Sequence, residues 1–267
     1  MALVKEPTVT PALPVLWQFA ISHYAEKVRW ALDLKHVPHV RRSLLPGLHM
    51  NRIKKMTGQT ATPVLELPGK VIHDSSAILR EVEKTWREPP LYPSDPAECE
   101  RAVNLEHYFD QELGIYIRQW GYFLLLPYSS TVAALFVGHA DIFHRLVFRT
   151  IFPMVRPQMI RYMKIYPAEA EAARKRTIVA MDRIMNEIQT SGYLVGDHFT
   201  VADLTAAALL WPLVMPTEFP YRLPAKQPPP FAKAREQLAG HPAMSWAAGI
   251  YRRHRGRSAA VSEETVI

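Results

Sequence analysis

A proline-rich segment, Arg87-Glu88-Pro89-Pro90-Leu91-Tyr92-Pro93-Ser94-Asp95-Pro96, divides this 267-residue chain into two stretches with different hydrophobic rhythms. Prolines at this density end helices and strands alike, because each removes a backbone donor and fixes φ. Before the segment, short apolar runs bounded by turn residues alternate with helical spacing. After it, only helical spacing remains. A chain of this length suits one or two domains, and 48% hydrophobic residues can fill a core. The expected organisation is a flexible arm over 1–14, an α/β domain over 15–87, a linker over 88–97, an all-helical domain over 98–254 and a flexible tail over 255–267.

Within the first stretch, Leu13 to Phe19 reads as a strand. Ser22 and His23 open a helix whose apolar face carries Val28, Ala31 and Leu32. Pro38 to Arg42 reads as a second strand and His49 to Met56 as a short helix. Val64 to Leu67, the Pro68-Gly69 turn and Val71-Ile72 form a strand pair. A helix with Ile78, Val82 and Trp86 on one face follows. The order is β-α-β-α-β-β-α. Pro63 precedes the third strand, where proline is tolerated and where a cis bond would be a deliberate feature.

Asp74-Ser75 opens the last of these helices. It offers a carboxylate, a hydroxyl and free amides in one small volume. The amides and the helix dipole attract a carboxylate, and Asp74 attracts an ammonium. Together they suit an amino-acid head group. Simple N-capping competes with that reading.

Beyond the linker, helices are expected over Ala97 to Trp120, over Val132 to Tyr166 with breaks at Pro153 and Pro157, and over Ala168 to Gln189 after a first-turn Pro167. Further helices run over Thr200 to Leu213, from Pro228 to Gly240, and over Pro242 to Arg253. Thr200-Val201-Ala202-Asp203 is a capping box with Asp for the usual Glu, assigned to folding. Gly121 to Gly138 is apolar, but Pro127, Ser129, Ser130 and Thr131 interrupt it, so a helix-loop-helix beside a cleft fits better than a membrane span.

The net charge of +7 favours anionic small molecules. Much of the excess lies in Arg252-Arg253-His254-Arg255-Gly256-Arg257, read as a solvated tail. No nucleic-acid-binding motif accompanies it. A single cysteine, Cys99, excludes a disulfide framework and fits a reducing compartment, hence an expected cytoplasmic location.

The segment Leu16-Trp17-Gln18-Phe19-Ala20-Ile21-Ser22-His23-Tyr24-Ala25-Glu26-Lys27-Val28-Arg29 resembles the first strand and helix of the cytosolic glutathione transferase superfamily. Thr62-Pro63-Val64-Leu65 resembles its cis-proline signature, Asp74-Ser75-Ser76-Ala77-Ile78 its acid-Ser-x-Ala-Ile signature, and Gly196-Asp197-His198-Phe199-Thr200-Val201-Ala202-Asp203 the capping box of its helical domain. The four occur in family order and cover most of the chain. The resemblance implies a thioredoxin-like α/β domain followed by an all-α domain, with glutathione as co-substrate, no metal, and a homodimer.

It also implies roles for individual residues. Ser22 falls at the family's Ser/Cys position and would donate to the glutathione sulfur, with Tyr24 as the alternative donor. A free thiol titrates near ~8.5, so lowering it by two units needs about 2.7 kcal/mol of selective anion stabilisation. His23 stands where proline is common, either adding positive charge beside the sulfur or solvated. The backbone of Thr62, ahead of Pro63, would pair with the cysteinyl unit. Asp74 and Ser75 would hold the γ-glutamyl end. His49, then Lys54 or Gln59, would meet the glycyl carboxylate. Tyr108, Tyr116, Trp120, Tyr122 and Phe123 are aromatic candidates for a hydrophobic electrophile between the domains.

The expected activity is a glutathione transferase acting on such an electrophile. The alternatives are a non-catalytic binding protein of the same fold, or a glutathione-dependent lyase, dehalogenase or peroxidase with a dedicated substrate.

Overall fold

A computed structural model describes residues 12–266; most of the arm expected over 1–14 lies outside the described residues. Strand β1 (Val15–Gln18) leads through a tight turn into α1 (His23–Leu34), then β2 (His39–Leu44), α2 (His49–Thr57), β3 (Val64–Leu67), β4 (Lys70–His73) and α3 (Ser75–Thr85). Both strand ends and helix starts follow local chemistry. Ser22 caps α1 by accepting the Ala25 amide at 3.2 Å, and Asp74 caps α3 by accepting the Ala77 amide at 3.0 Å. Strand β1 runs parallel to β2 and antiparallel to β3, and β3 pairs antiparallel with β4. The Thr62–Pro63 bond is cis.

The helical half begins with α4 (Pro96–Phe109), capped by Asp95. The expected single helix to Trp120 is interrupted by a π-helical turn over Asp110–Gly114, after which α5 (Ile115–Leu125) continues. A π turn shifts the ladder and changes which carbonyls stay within the helix. Here the Asp110 and Gly114 carbonyls accept bonds from Tyr24 and His23 of α1.

Helix α6 (Ser129–Val137) and α7 (Ile142–Tyr162) replace the expected Val132–Tyr166 helix. The break falls before Asp141, which caps α7 through the His144 amide, and α7 runs on through Pro153 and Pro157. Both prolines face solvent, where freed carbonyls can meet water. Then follow α8 (Pro167–Glu187), α9 (Val201–Val214), α10 (Pro229–Leu238) and α11 (Pro242–His254).

Helix α9 is buried nearly all round and forms the axis of the main core. Its capping box is complete: Asp203 accepts from the Thr200 amide at 2.9 Å and also from the Leu194 amide at 2.8 Å. Burial, offset in part by these bonds, raises the Asp203 carboxyl to about 6. Among the described residues no helix is long and apolar enough to cross a membrane.

The C-terminal segment departs from expectation. Instead of a flexible tail over 255–267, residues Ala260–Val266 form β5, parallel to β2, giving the sheet order β4-β3-β1-β2-β5. The basic run before it is only partly solvated. Arg255 is buried, with Nε 2.7 Å from Glu26 and Nη1 2.9 Å from Asp33. That pair of carboxylates on α1 anchors the chain so that it reaches the edge of β2. Ser43 then donates to Glu263 at 2.8 Å across the new strand pair.

Candidate active site

The junction of the two halves encloses a cavity of about 480 Å³. One wall comes from the β1–α1 turn, the start of α2 and residues 60–62. The other comes from α5, α6, α7, the end of α9 and α10.

Ser22 lies on the first wall. Its turn is fixed on both sides: the Ser22 amide donates to the Phe19 carbonyl at 2.9 Å, and the buried Arg29 guanidinium donates to the Ser22 carbonyl at 3.2 Å. Arg29 is in turn held by Glu26 at 2.7 Å and Gln18 at 2.6 Å. As a cap, the Ser22 Oγ accepts from Ala25, so its own proton remains available to donate. A hydroxyl donor at the positive end of a helix is suited to an anion.

His23 shares the wall but is neither solvated nor positive, in contrast to both sequence expectations. Burial, reinforced by the Arg118 guanidinium, lowers it to about 3. Its Nε2 therefore carries the proton and donates to the Gly114 carbonyl at 2.9 Å. Tyr24, the alternative sulfur donor, is not brought to the cavity. Its hydroxyl donates to the Asp110 carbonyl at 2.6 Å, and burial pushes it far above the ordinary phenol range. A Cβ on Gly114 would overlap that hydroxyl, which explains glycine inside the π turn.

His49 and Thr62 also line the cavity. His49 packs edge-on to Phe19 at 4.8 Å, and burial lowers its pKa, offset in part by the Leu45 and Thr60 carbonyls beside the ring. It stands as a neutral ring. Pro63 is buried behind Thr62. Gln59 is not brought in: its amide folds back on its own loop, donating to Thr57 at 3.1 Å and to the Ala61 carbonyl at 3.0 Å, and accepting from the Ala61 amide.

Asp74 and Ser75 sit at the start of α3, outside the cavity lining. Asp74 is exposed and holds φ 71, ψ 123, a conformation costing on the order of 1–3 kcal/mol for a non-glycine residue and concentrated at functional sites. This end of α3 is tied to α1 through Lys27. Its Nζ lies 3.3 Å from Ser76, 2.7 Å from Asp110 and 3.3 Å from Glu106, all largely buried.

The aromatic candidates divide by helical phase. Tyr122 lines the cavity, together with Ile117, Arg118, Gly121 and Leu125. Tyr116, Trp120 and Tyr108 face elsewhere. Tyr116 accepts from Arg176 at 2.9 Å, Trp120 is 5% exposed within the helical core, and Tyr108 lies beneath the Arg183 guanidinium. Phe123 packs with the α6–α7 cluster. Each residue on a helix turns by about 100°, so aromatic content on α5 did not fix which face meets the cavity. Arg118 carried no sequence signal, and Trp211 was read only as part of a buried helix.

The architecture is thus an α/β domain with a cis-proline edge and two capped helix starts, joined to a helical domain across an apolar cavity. A family model described as "Glutathione S-transferase, N-terminal domain" matches residues 16–90, and one described as "Glutathione S-transferase, C-terminal domain" matches residues 139–238. The chain belongs to the glutathione S-transferase family.

Among curated proteins, Glutathione S-transferase U4 of Arabidopsis thaliana is 30% identical over 103 residues, 36% of this chain and 43% of that protein. A probable maleylacetoacetate isomerase of Caenorhabditis elegans is 33% identical over 85 residues, 31% of this chain and 40% of that protein. The chain therefore spans about two fifths of the length of these relatives. The apo form of human glutathione-S-transferase T1-1 superposes with a TM-score of 0.61 at 15% identity, covering 91% of this chain and 84% of that one, a likeness of fold.

Proposed function

We propose that this protein binds glutathione along the β1–α1, cis-proline and α3 edge, and that Ser22 activates its thiol for attack on an apolar electrophile held in the interdomain cavity. The observation that carries the reading is the Ser22 hydroxyl. Ser22 lines the cavity, and its hydroxyl accepts from the Ala25 amide and keeps a proton to donate at a helix N-terminus. Removal of one such preorganised donor typically costs 10²–10³ in turnover.

Thr62 beside the cis bond offers backbone groups to the cysteinyl unit, and Asp74 and Ser75 offer a head-group site at α3. His49, a neutral ring on the cavity wall, offers a hydrogen bond rather than a full charge to the glycyl end. Tyr122 and Trp211 contribute apolar surface to the electrophile. The reading includes a cytoplasmic location, supported by the single Cys99, and a homodimer, carried by the family resemblance alone.

Titration of glutathione near neutral pH tests it directly. Thiolate absorbance should rise on binding to the native protein and should be lost in Ser22→Ala while binding heat persists. Thiolate formation undiminished in Ser22→Ala would remove Ser22 from the role. Absence of both heat and absorbance change would remove glutathione itself.

A further inference from the structure

The interdomain cavity has one formal charge on its wall. Among the described residues lining it there is no Asp, Glu or Lys, both histidines are held toward their neutral forms, and Arg118 is the single Arg. Arg118 makes no hydrogen bond or ion pair among the described residues. Its recorded contact is with the Tyr24 ring, 5.7 Å from guanidinium carbon to ring centre. The acids of the adjoining π turn are engaged elsewhere: Asp110 with Lys27 at 2.7 Å, and Glu112 with Arg176 at 3.1 Å.

The cavity that Arg118 lines is largely apolar, and its other polar side chains, among them Gln158, Gln227 and Thr62, are uncharged. Ile117, Phe136, Met159 and Phe231 supply hydrocarbon. The Tyr122 hydroxyl has no protein partner among the described residues, and the Trp211 Nε1 is buried without an acceptor. A neutral apolar ligand filling this space would strip water from an unpaired guanidinium, which is unfavourable. A ligand carboxylate would meet the guanidinium fork in a charge-assisted, bidentate pair.

We infer that the second substrate is an apolar electrophile bearing a carboxylate, and that Arg118 is the residue that selects it. The inference rests on the transferase reading for the reaction, but not for the binding preference. Arg118 acts on specificity, receiving the anion while the reactive carbon is turned toward Ser22.

Two paired probes test this. The reactive pair is 4-chloro-3,5-dinitrobenzoate and its methyl ester. The glutathione sulfur forms a bond to the chlorine-bearing carbon, chloride leaves with the bonding electrons, and the thiol proton passes to solvent. The unreactive pair is 3,5-dinitrobenzoate and its methyl ester, followed by calorimetry or by quenching of tryptophan fluorescence.

The native protein should favour each acid over its ester by at least about tenfold, in kcat/KM and in Kd. Arg118→Gln should erase that preference, and Arg118→Lys should restore part of it. An ester preferred by the native protein would overturn the inference. So would equal losses for acid and ester in Arg118→Gln, which would place Arg118 on glutathione instead. If turnover is absent for both reactive probes while the acid still binds more tightly through Arg118, the transferase reading fails and the anion site stands.

Discussion

Two arginine environments in this molecule are opposites. At the C-terminal end, Arg255 is inserted into a closed ionic cluster. Glu26 binds both Arg255 and Arg29 at 2.7 Å, and Asp33 binds Arg41 at 2.8 Å and Arg255 at 2.9 Å. The Ala259 amide also donates to Asp33 at 2.8 Å. Every carboxylate there is committed to the fold. At the interdomain cavity, Arg118 lies on a wall with no carboxylate among the described residues. Charges that satisfy each other hold elements in place. A cation left without a counter-charge in an apolar cleft is organised for something outside the chain. The contrast separates residues that shape this protein from those that give it chemistry.

The largest effects should come from breaking the closed side. Arg255→Met should destabilise the fold by about 3 kcal/mol, because buried Glu26 and Asp33 each lose one of the two arginines they hold, keeping Arg29 and Arg41. Urea unfolding measures this, and amide exchange over 260–266 should quicken as β5 loses its anchor. A change within error would mean that the cluster contributes little.

Nearly as large is the effect of acid on His23. Its folded value of about 3 lies below the ordinary 6.5, so the unfolded chain takes up a proton that the folded chain refuses. The stability it contributes is complete above about pH 6.5 and is lost as pH falls toward 3, by roughly 5 kcal/mol at most. His23→Gln keeps a donor for the Gly114 carbonyl and should lose less stability over that window. Identical acid limbs would show that His23 titrates normally.

On the open side, Ser22→Ala should lower turnover by about 100-fold and stability by about 1 kcal/mol through the lost cap. Ser22→Thr retains a hydroxyl and should keep most of both. Turnover that follows the cap loss alone would return Ser22 to a structural role.

The smallest effect concerns Asp74. Asp74→Gly should be more stable than Asp74→Ala by about 1 kcal/mol, since glycine accepts φ 71 without strain. Both should weaken glutathione binding about tenfold, as expected for a lost charged hydrogen bond. Unequal affinities would mean that backbone geometry, and not the carboxylate, holds the head group.

Much of the first domain was legible from short patterns. The strand and helix order up to α3, and the starts at Ser22 and Asp74, follow from residues within a few positions of one another. The capping box at Thr200 and Asp203 was equally readable. The site was legible at Ser22, His49, Thr62 and Tyr122, which reach the cavity. Tyr108, Tyr116 and Trp120 do not, because aromatic content says nothing of helical phase. Tyr24 points into the π turn instead, a feature with no evident sequence signal.

The sequence by itself determined the element order of the first domain, the capped starts at Ser22, Asp74 and Thr200, and the family they assemble into, since caps, turns and apolar periods act over one or two turns of backbone. Tertiary structure decided the rest: the neutral state of His23, the strand made from an expected tail, and the exposure of Arg118 to the cleft. Each of these depends on groups distant in the chain. Desolvation and charge pairing are set by what packs around a side chain, and no local pattern encodes that company.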